Sequence, residues 1–120
     1  MEVMGDNSTS EIIGEASCGG GGPSDVYSFT STEAGTYNVS LISLTENVDM
    51  LLYARSYCSS YQPQFELECN DDYEAFENFS SGIELVLTAN ETVYLFVDSY
   101  TGEAAGDYTI TVGAGALPLE

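Results

Sequence analysis

Histidine, lysine and tryptophan are absent from this chain, and arginine occurs once, at Arg55. Each absence removes a class of function. Without histidine there is no side chain that changes charge near neutral pH, and none of the usual imidazole chemistry of catalysis or zinc binding. No serine or cysteine can be paired with a histidine or lysine base, so an activated nucleophile cannot be assembled and the chain is not expected to be an enzyme. With one basic residue there is nothing to neutralise a run of phosphates, which excludes nucleic acid and an anionic membrane surface as partners. No apolar run reaches the ~20 residues of a membrane-spanning helix. What remains is twenty acidic residues, a net charge of −19 and a 43% hydrophobic content over 120 residues. That length and apolar fraction suit a single packed domain.

The acidity has three readings. It serves solubility, it adapts the surface to a salty medium, or it binds a hard cation, chiefly calcium. The readings can coexist.

Three cysteines stand at Cys18, Cys58 and Cys69. Cys58 and Cys69 enclose ten residues rich in Ser, Tyr, Gln and Pro, a spacing that suits a disulfide closing a loop between two strands. Cys18 is then a free thiol, a link to another chain, or the partner of a cysteine outside this sequence. A disulfide implies an oxidising compartment, hence a secreted or cell-surface protein. The first residues show neither the basic region nor the apolar run of a signal peptide, so the chain reads as a mature or excised piece of a secreted protein.

Period-2 alternation dominates the rest. Tyr27 and Phe29 share a face, as do Tyr37, Val39 and Leu41. Met50, Leu52 and Ala54 alternate with Leu51, Tyr53 and Arg55. Similar alternation runs through residues 83–88, 93–98 and 108–112. β-Branched and aromatic residues are enriched there, as strands prefer. Between these runs lie breaker-rich segments: the glycine loop Cys18-Gly-Gly-Gly-Gly-Pro23, a tight turn at residues 33–36, and two expected hairpins at 88–92 and 101–106. A first strand is expected within residues 8–14. The pattern predicts an all-β fold, an antiparallel β-sandwich of about seven to eight strands with a jelly-roll-like order.

The order of landmarks resembles the bacterial pre-peptidase C-terminal domain. They are Asp25-Val-Tyr-Ser-Phe29, Ala34-Gly-Thr-Tyr-Asn-Val-Ser-Leu41, Val48-Asp-Met-Leu-Leu-Tyr53 and Glu66-Leu-Glu-Cys-Asn-Asp-Asp72, then Ser81-Gly-Ile-Glu-Leu-Val-Leu87, Thr92-Val-Tyr-Leu-Phe-Val-Asp-Ser-Tyr100 and Gly106-Asp-Tyr-Thr-Ile-Thr-Val112. The resemblance spans residues 18–112, leaving 1–17 as an N-terminal extension with room for a first strand and 113–120 as a tail or linker. It departs from the family where Ser99 follows the Val97-Asp98 pair, a position usually held by glycine. The resemblance implies a non-catalytic accessory domain of a secreted bacterial protein, acting in targeting, secretion or substrate binding beside a catalytic or surface domain. The alternative is a stand-alone surface adhesion or structural module that binds an extracellular protein or polysaccharide.

Some relatives bind calcium. The position that matches their ligand segment is Asp25, at the first core strand. The residues themselves offer a stronger candidate in Asn70-Asp71-Asp72, with Asp49 and Asp98 nearby. Calcium takes six to eight oxygens, and adjacent aspartates can converge on one ion in a loop. The competing reading is a turn capped by one aspartate while its neighbours are solvated. No EF-hand pattern is present. Tyr57, Tyr61 and Tyr73 lie in or near the cysteine-rich loop and form the candidate binding surface. Amphipathic tyrosines also cover core edges, so that alternative stands beside it.

The charge of −19 yields a direct expectation. Self-repulsion should be relieved by screening, so the melting temperature should rise between 10 and about 500 mM salt. Sodium and choline chloride should act alike; a flat response would contradict a self-repelling surface.

Overall fold

The computed structural model describes residues 2–7, 13–44, 50–57, 63–70, 80–99 and 106–117. Ten strands form there. They are β1 (Glu2–Asp6), β2 (Ile13–Ala16), β3 (Gly19–Pro23), β4 (Asp25–Thr30), β5 (Gly35–Ser43), β6 (Met50–Arg55), β7 (Glu66–Asn70), β8 (Ser81–Leu87), β9 (Thr92–Ser99) and β10 (Asp107–Ala114). One turn of 3-10 helix, Pro63–Phe65, precedes β7.

Eight strands build two antiparallel sheets, ordered β1-β10-β5-β8 and β4-β9-β6-β7. From β4 onward the chain changes sheet at every connection except β6 to β7. This is the strand order of a jelly roll, and it bears out the expected class. It also corrects two connections. Residues 88–92 and 101–106 read as hairpins, yet β8 and β9 lie in different sheets, as do β9 and β10. Turn residues bend the chain equally well for a hairpin or for an arch between sheets; only the pairing distinguishes them. At the 88–92 arch, Asn90 takes a left-handed φ of 61°, which asparagine tolerates. Its N–H donates to the Ser31 carbonyl at 2.9 Å, tying this arch to the one between β4 and β5.

The core fills the space between the sheets. Val39 and Leu41 of β5, Ile83, Leu85 and Leu87 of β8, and Tyr108, Ile110 and Val112 of β10 form one cluster with Met50, Leu52 and Ala54 of β6 and Val93, Leu95 and Val97 of β9. These are the inward positions of the period-2 pattern. β6 departs from it, because all six of its residues are buried. Its other face carries a second cluster of Leu51, Tyr53 and Phe96 with Ala16. The cover is the β2–β3 ribbon, a separate two-stranded sheet whose β3 lies across β9. The glycine run expected to be a loop is thus the second strand of that ribbon.

The disulfide joins Cys18 to Cys69, with Cα atoms 5.9 Å apart. This overturns the expected pairing of Cys58 with Cys69; Cys58 lies outside the described residues. Proximity in sequence favoured Cys58, but the fold brings the turn of the ribbon onto β7. Cys69 stands opposite Tyr53 in the ladder, so its side chain faces the ribbon. Ser17 reinforces the tether, its N–H donating to Glu66 Oε1 at 2.8 Å.

The sandwich also starts earlier than the resemblance implies. β1, at residues 2–6, pairs with β10 along its whole length. Gly5 is needed there: a Cβ would sit 2.6 Å from Tyr108 Cζ and 2.8 Å from the Tyr27 hydroxyl. At the other end β10 continues to Ala114, and Leu117 is buried.

Closing a loop of 51 residues corresponds to about 4 kcal/mol in the chain-entropy model. Cys18→Ser should therefore lower unfolding stability by about that amount, whereas Cys58→Ser should leave it nearly unchanged. Urea denaturation of the two variants decides this. Equal losses would contradict the pairing.

Candidate functional site

The strand ends that border the candidate aspartates in sequence share one end of the second sheet. β4 begins with Asp25, opposite Val97 near the end of β9. β6 begins with Met50, opposite Ser99. β7 ends with Asn70, opposite Leu52. So the first residues of β4 and β6 and the last of β7 and β9 share an end of the sheet. Asp49 precedes Met50 in sequence, and Asp71 and Asp72 follow Asn70; these three aspartates lie outside the described residues. Among the described residues, no group of three or more acidic or cysteine side chains is placed to hold a metal.

Asp25 and Asp98 fall on opposite faces of their sheet. Asp25 pairs with Val97, a core residue, and therefore points inward. Its Oδ2 accepts a hydrogen bond from the Tyr108 hydroxyl at 2.6 Å, and the Tyr108 oxygen lies 2.6 Å from that of Tyr27. The result is a short relay linking the sheets: Tyr27, Tyr108, then the carboxylate. Asp98, one residue beyond Val97, points to the ribbon side. It is fully buried and accepts from the Tyr53 hydroxyl at 3.1 Å. One ion cannot be held by both side chains, because a layer of backbone separates them. Each aspartate satisfies a buried phenol.

Of the tyrosines expected at a binding surface, Tyr57 is 59% exposed. Its ring packs edge-on against Phe65, with centroids 4.7 Å apart. The pair sits where Ser56 N–H donates to the Phe65 carbonyl at 2.9 Å, which closes the base of the loop between β6 and β7. Tyr61 and Tyr73 lie outside the described residues.

Sequence reasoning missed the role of Arg55. The chain's one basic side chain is buried at 3% exposure, with its guanidinium carbon 4.4 Å from the Phe96 ring centroid and 5.2 Å from that of Tyr53. The two rings stack at 4.9 Å and 8°. A cation over stacked aromatic faces is attracted by their quadrupoles. The available signal was the alternation of Tyr53 and Arg55 on one face of β6. With Arg55 inside, the surface presents carboxylates with no lysine or arginine side chain to offset them.

Burial raises the pKa of both central phenols. For Tyr53 the nearby Asp98 charge adds to burial, while Ser24 and Arg55 pull the other way without cancelling it. For Tyr108 the hydrogen bond to Asp25 is the next cause after burial, followed by that to Tyr27. The neutral forms are thus favoured in the fold. Their stabilisation is complete below the ordinary tyrosine value of about 10 and is lost as pH rises above it, where the unfolded chain releases protons that the folded chain keeps. Stability should fall between about pH 10 and 11.5, each phenol contributing about 1.4 kcal/mol per pH unit. Tyr108→Phe should make the decline shallower; denaturation curves against pH would show it, and an unchanged slope would contradict the assignment.

A scan of protein-family models finds no match to the chain, and a search of curated proteins finds none. Among solved structures, the pre-peptidase C-terminal domain of collagenase from Bacillus anthracis is similar over 94% of this chain and 88% of that one, with a TM-score of 0.62 and 16% sequence identity. The chain has the pre-peptidase C-terminal type of β-sandwich fold.

Proposed function

We propose that this chain is a non-catalytic accessory module of a larger extracellular protein, working beside a catalytic or surface domain by binding a protein or polysaccharide. The observation that carries the reading is the fold shared along 94% of the chain with a domain named as part of a collagenase. Two features support it. The Cys18–Cys69 disulfide suits an oxidising compartment. The absence of histidine and lysine leaves no imidazole or lysine amine to activate a serine or cysteine. The exposed Tyr57 with Phe65 offers an aromatic contact for a ligand, and Tyr61 and Tyr73 extend the set in sequence.

Calcium belongs to the same proposal. Asp71 and Asp72 are its main donors and Asp49 joins them, since these residues flank strand ends that the fold brings together. The donor set is oxygen only, as a hard cation requires. Asp25 and Asp98 each serve a phenol, and their opposed faces prevent both from joining one ion.

Calcium that binds only the folded chain stabilises it by about 2.7 kcal/mol at a free concentration one hundred times its Kd. The melting temperature should therefore rise in calcium relative to chelator, and the rise should vanish in the double variant Asp71→Asn, Asp72→Asn. Magnesium at matched ionic strength removes general screening from the comparison. No difference between calcium and magnesium would end the calcium proposal.

A further inference from the structure

We propose that the free edge of β8 accepts an extended, positively charged peptide segment of a partner as an added strand. This surface is separate from the aspartates and from Tyr57, and the inference does not depend on calcium.

Among the described residues, β8 ends the first sheet and shares its strand ladder with β5 alone. Its register with β5 runs unbroken from Ser81 to Leu87. In an antiparallel ladder the backbone groups of alternate residues point to opposite sides of the strand. Gly82 marks the outward set, because its N–H donates at 3.1 Å to Asn70 Oδ1 on β7, away from β5. Glu84 and Val86 share its parity, so their N–H and C=O groups point to the free side. Proteins protect such an edge with a lysine, a proline, a bulge or a short strand. β8 has seven residues, Ser-Gly-Ile-Glu-Leu-Val-Leu, and none of the first three devices.

A groove runs along this edge. Two cavities of ≈ 320 and ≈ 240 Å³ share Glu68 and Glu84 and lie between β7 and β8. Val86 is 82% exposed and Leu67 38% exposed, giving apolar contacts along the groove. Glu68, Glu84 and Glu91 line the same groove; Leu117 borders its Glu84 end, donating its N–H to Glu84 Oε1 at 2.8 Å, Glu91 Oε1 accepts from Thr88, and Glu68 is exposed. An incoming strand would place alternate side chains on the apolar residues and on the carboxylates.

Charge selects the occupant. Pairing with a second copy would bring together two chains of net charge −19 each, with no exposed basic side chain on either. A segment with lysine or arginine at every second position matches the acidic rim instead. Main-chain hydrogen bonds would supply affinity, and the carboxylates would set the charge preference.

The test uses synthetic octapeptides of alternating lysine and valine, or of glutamate and valine, added to the isotopically labelled protein. The basic peptide should slow hydrogen exchange of the Glu84 and Val86 amides, and its affinity should fall with salt. Val86→Pro removes one outward N–H and leaves the β5 ladder intact; it should weaken binding about tenfold. Glu68→Gln, at an exposed position, should weaken it about threefold. Salt-sensitive binding that leaves both amides unprotected would overturn the proposal, as would equal binding of the acidic peptide. Unchanged affinity in a folded Val86→Pro variant, or in Glu68→Gln, would also overturn it.

Discussion

β6 must be covered on both faces, and much of the architecture follows from that requirement. All six residues from Met50 to Arg55 are buried, which a strand in a two-layer sandwich does not ordinarily achieve, since one face meets solvent. The first sheet covers Met50, Leu52 and Ala54. The opposite face needs a second cover, and the β2–β3 ribbon provides it over Leu51, Tyr53 and Phe96. A two-stranded ribbon is marginally stable alone. The Cys18–Cys69 bridge and the Ser17 contact to Glu66 hold it in place.

Burial under the ribbon also explains why the single arginine lies inside an acidic protein. Isolating a guanidinium from water is costly unless it is compensated. The Tyr53 and Phe96 rings give Arg55 a polarisable surface, and the buried Asp98 contributes a negative charge to the same layer through its bond to Tyr53. On the other side of the sheet, the Tyr27, Tyr108 and Asp25 relay joins the two main sheets without a charge pair. Gly5 leaves the space in which those two phenols meet. In each layer a buried phenol is hydrogen-bonded to a carboxylate, and with Arg55 inside the surface side-chain charge is of one sign.

Strand positions were legible because burial alternates with period 2; β5, β8 and β10 follow that alternation closely, whereas β9 is buried on both faces from Leu95 to Asp98. The sandwich class was legible for the same reason. β1 was missed because its residues, Glu-Val-Met-Gly-Asp, carry one apolar contact to the core, Val3, and a glycine whose role depends on Tyr108, about a hundred residues away. The acids that border these strand ends were legible in the sequence as candidate calcium donors. Which acids share a face was not, because Asp25 and Asp98 belong to different strands and their faces are fixed by pairing.

Composition and alternation alone determined the all-β class and the inward positions of most strands. These depend on residue type and on local spacing, which a strand cannot change. Tertiary structure decided the partner of Cys69, the crossing of two expected hairpins between sheets, the burial of Arg55 and the opposed faces of Asp25 and Asp98. Each of these depends on which surface covers a given strand face. That cover comes from residues far apart in sequence, 51 positions in the disulfide and 83 between Asp25 and Tyr108, and local spacing carries no record of it.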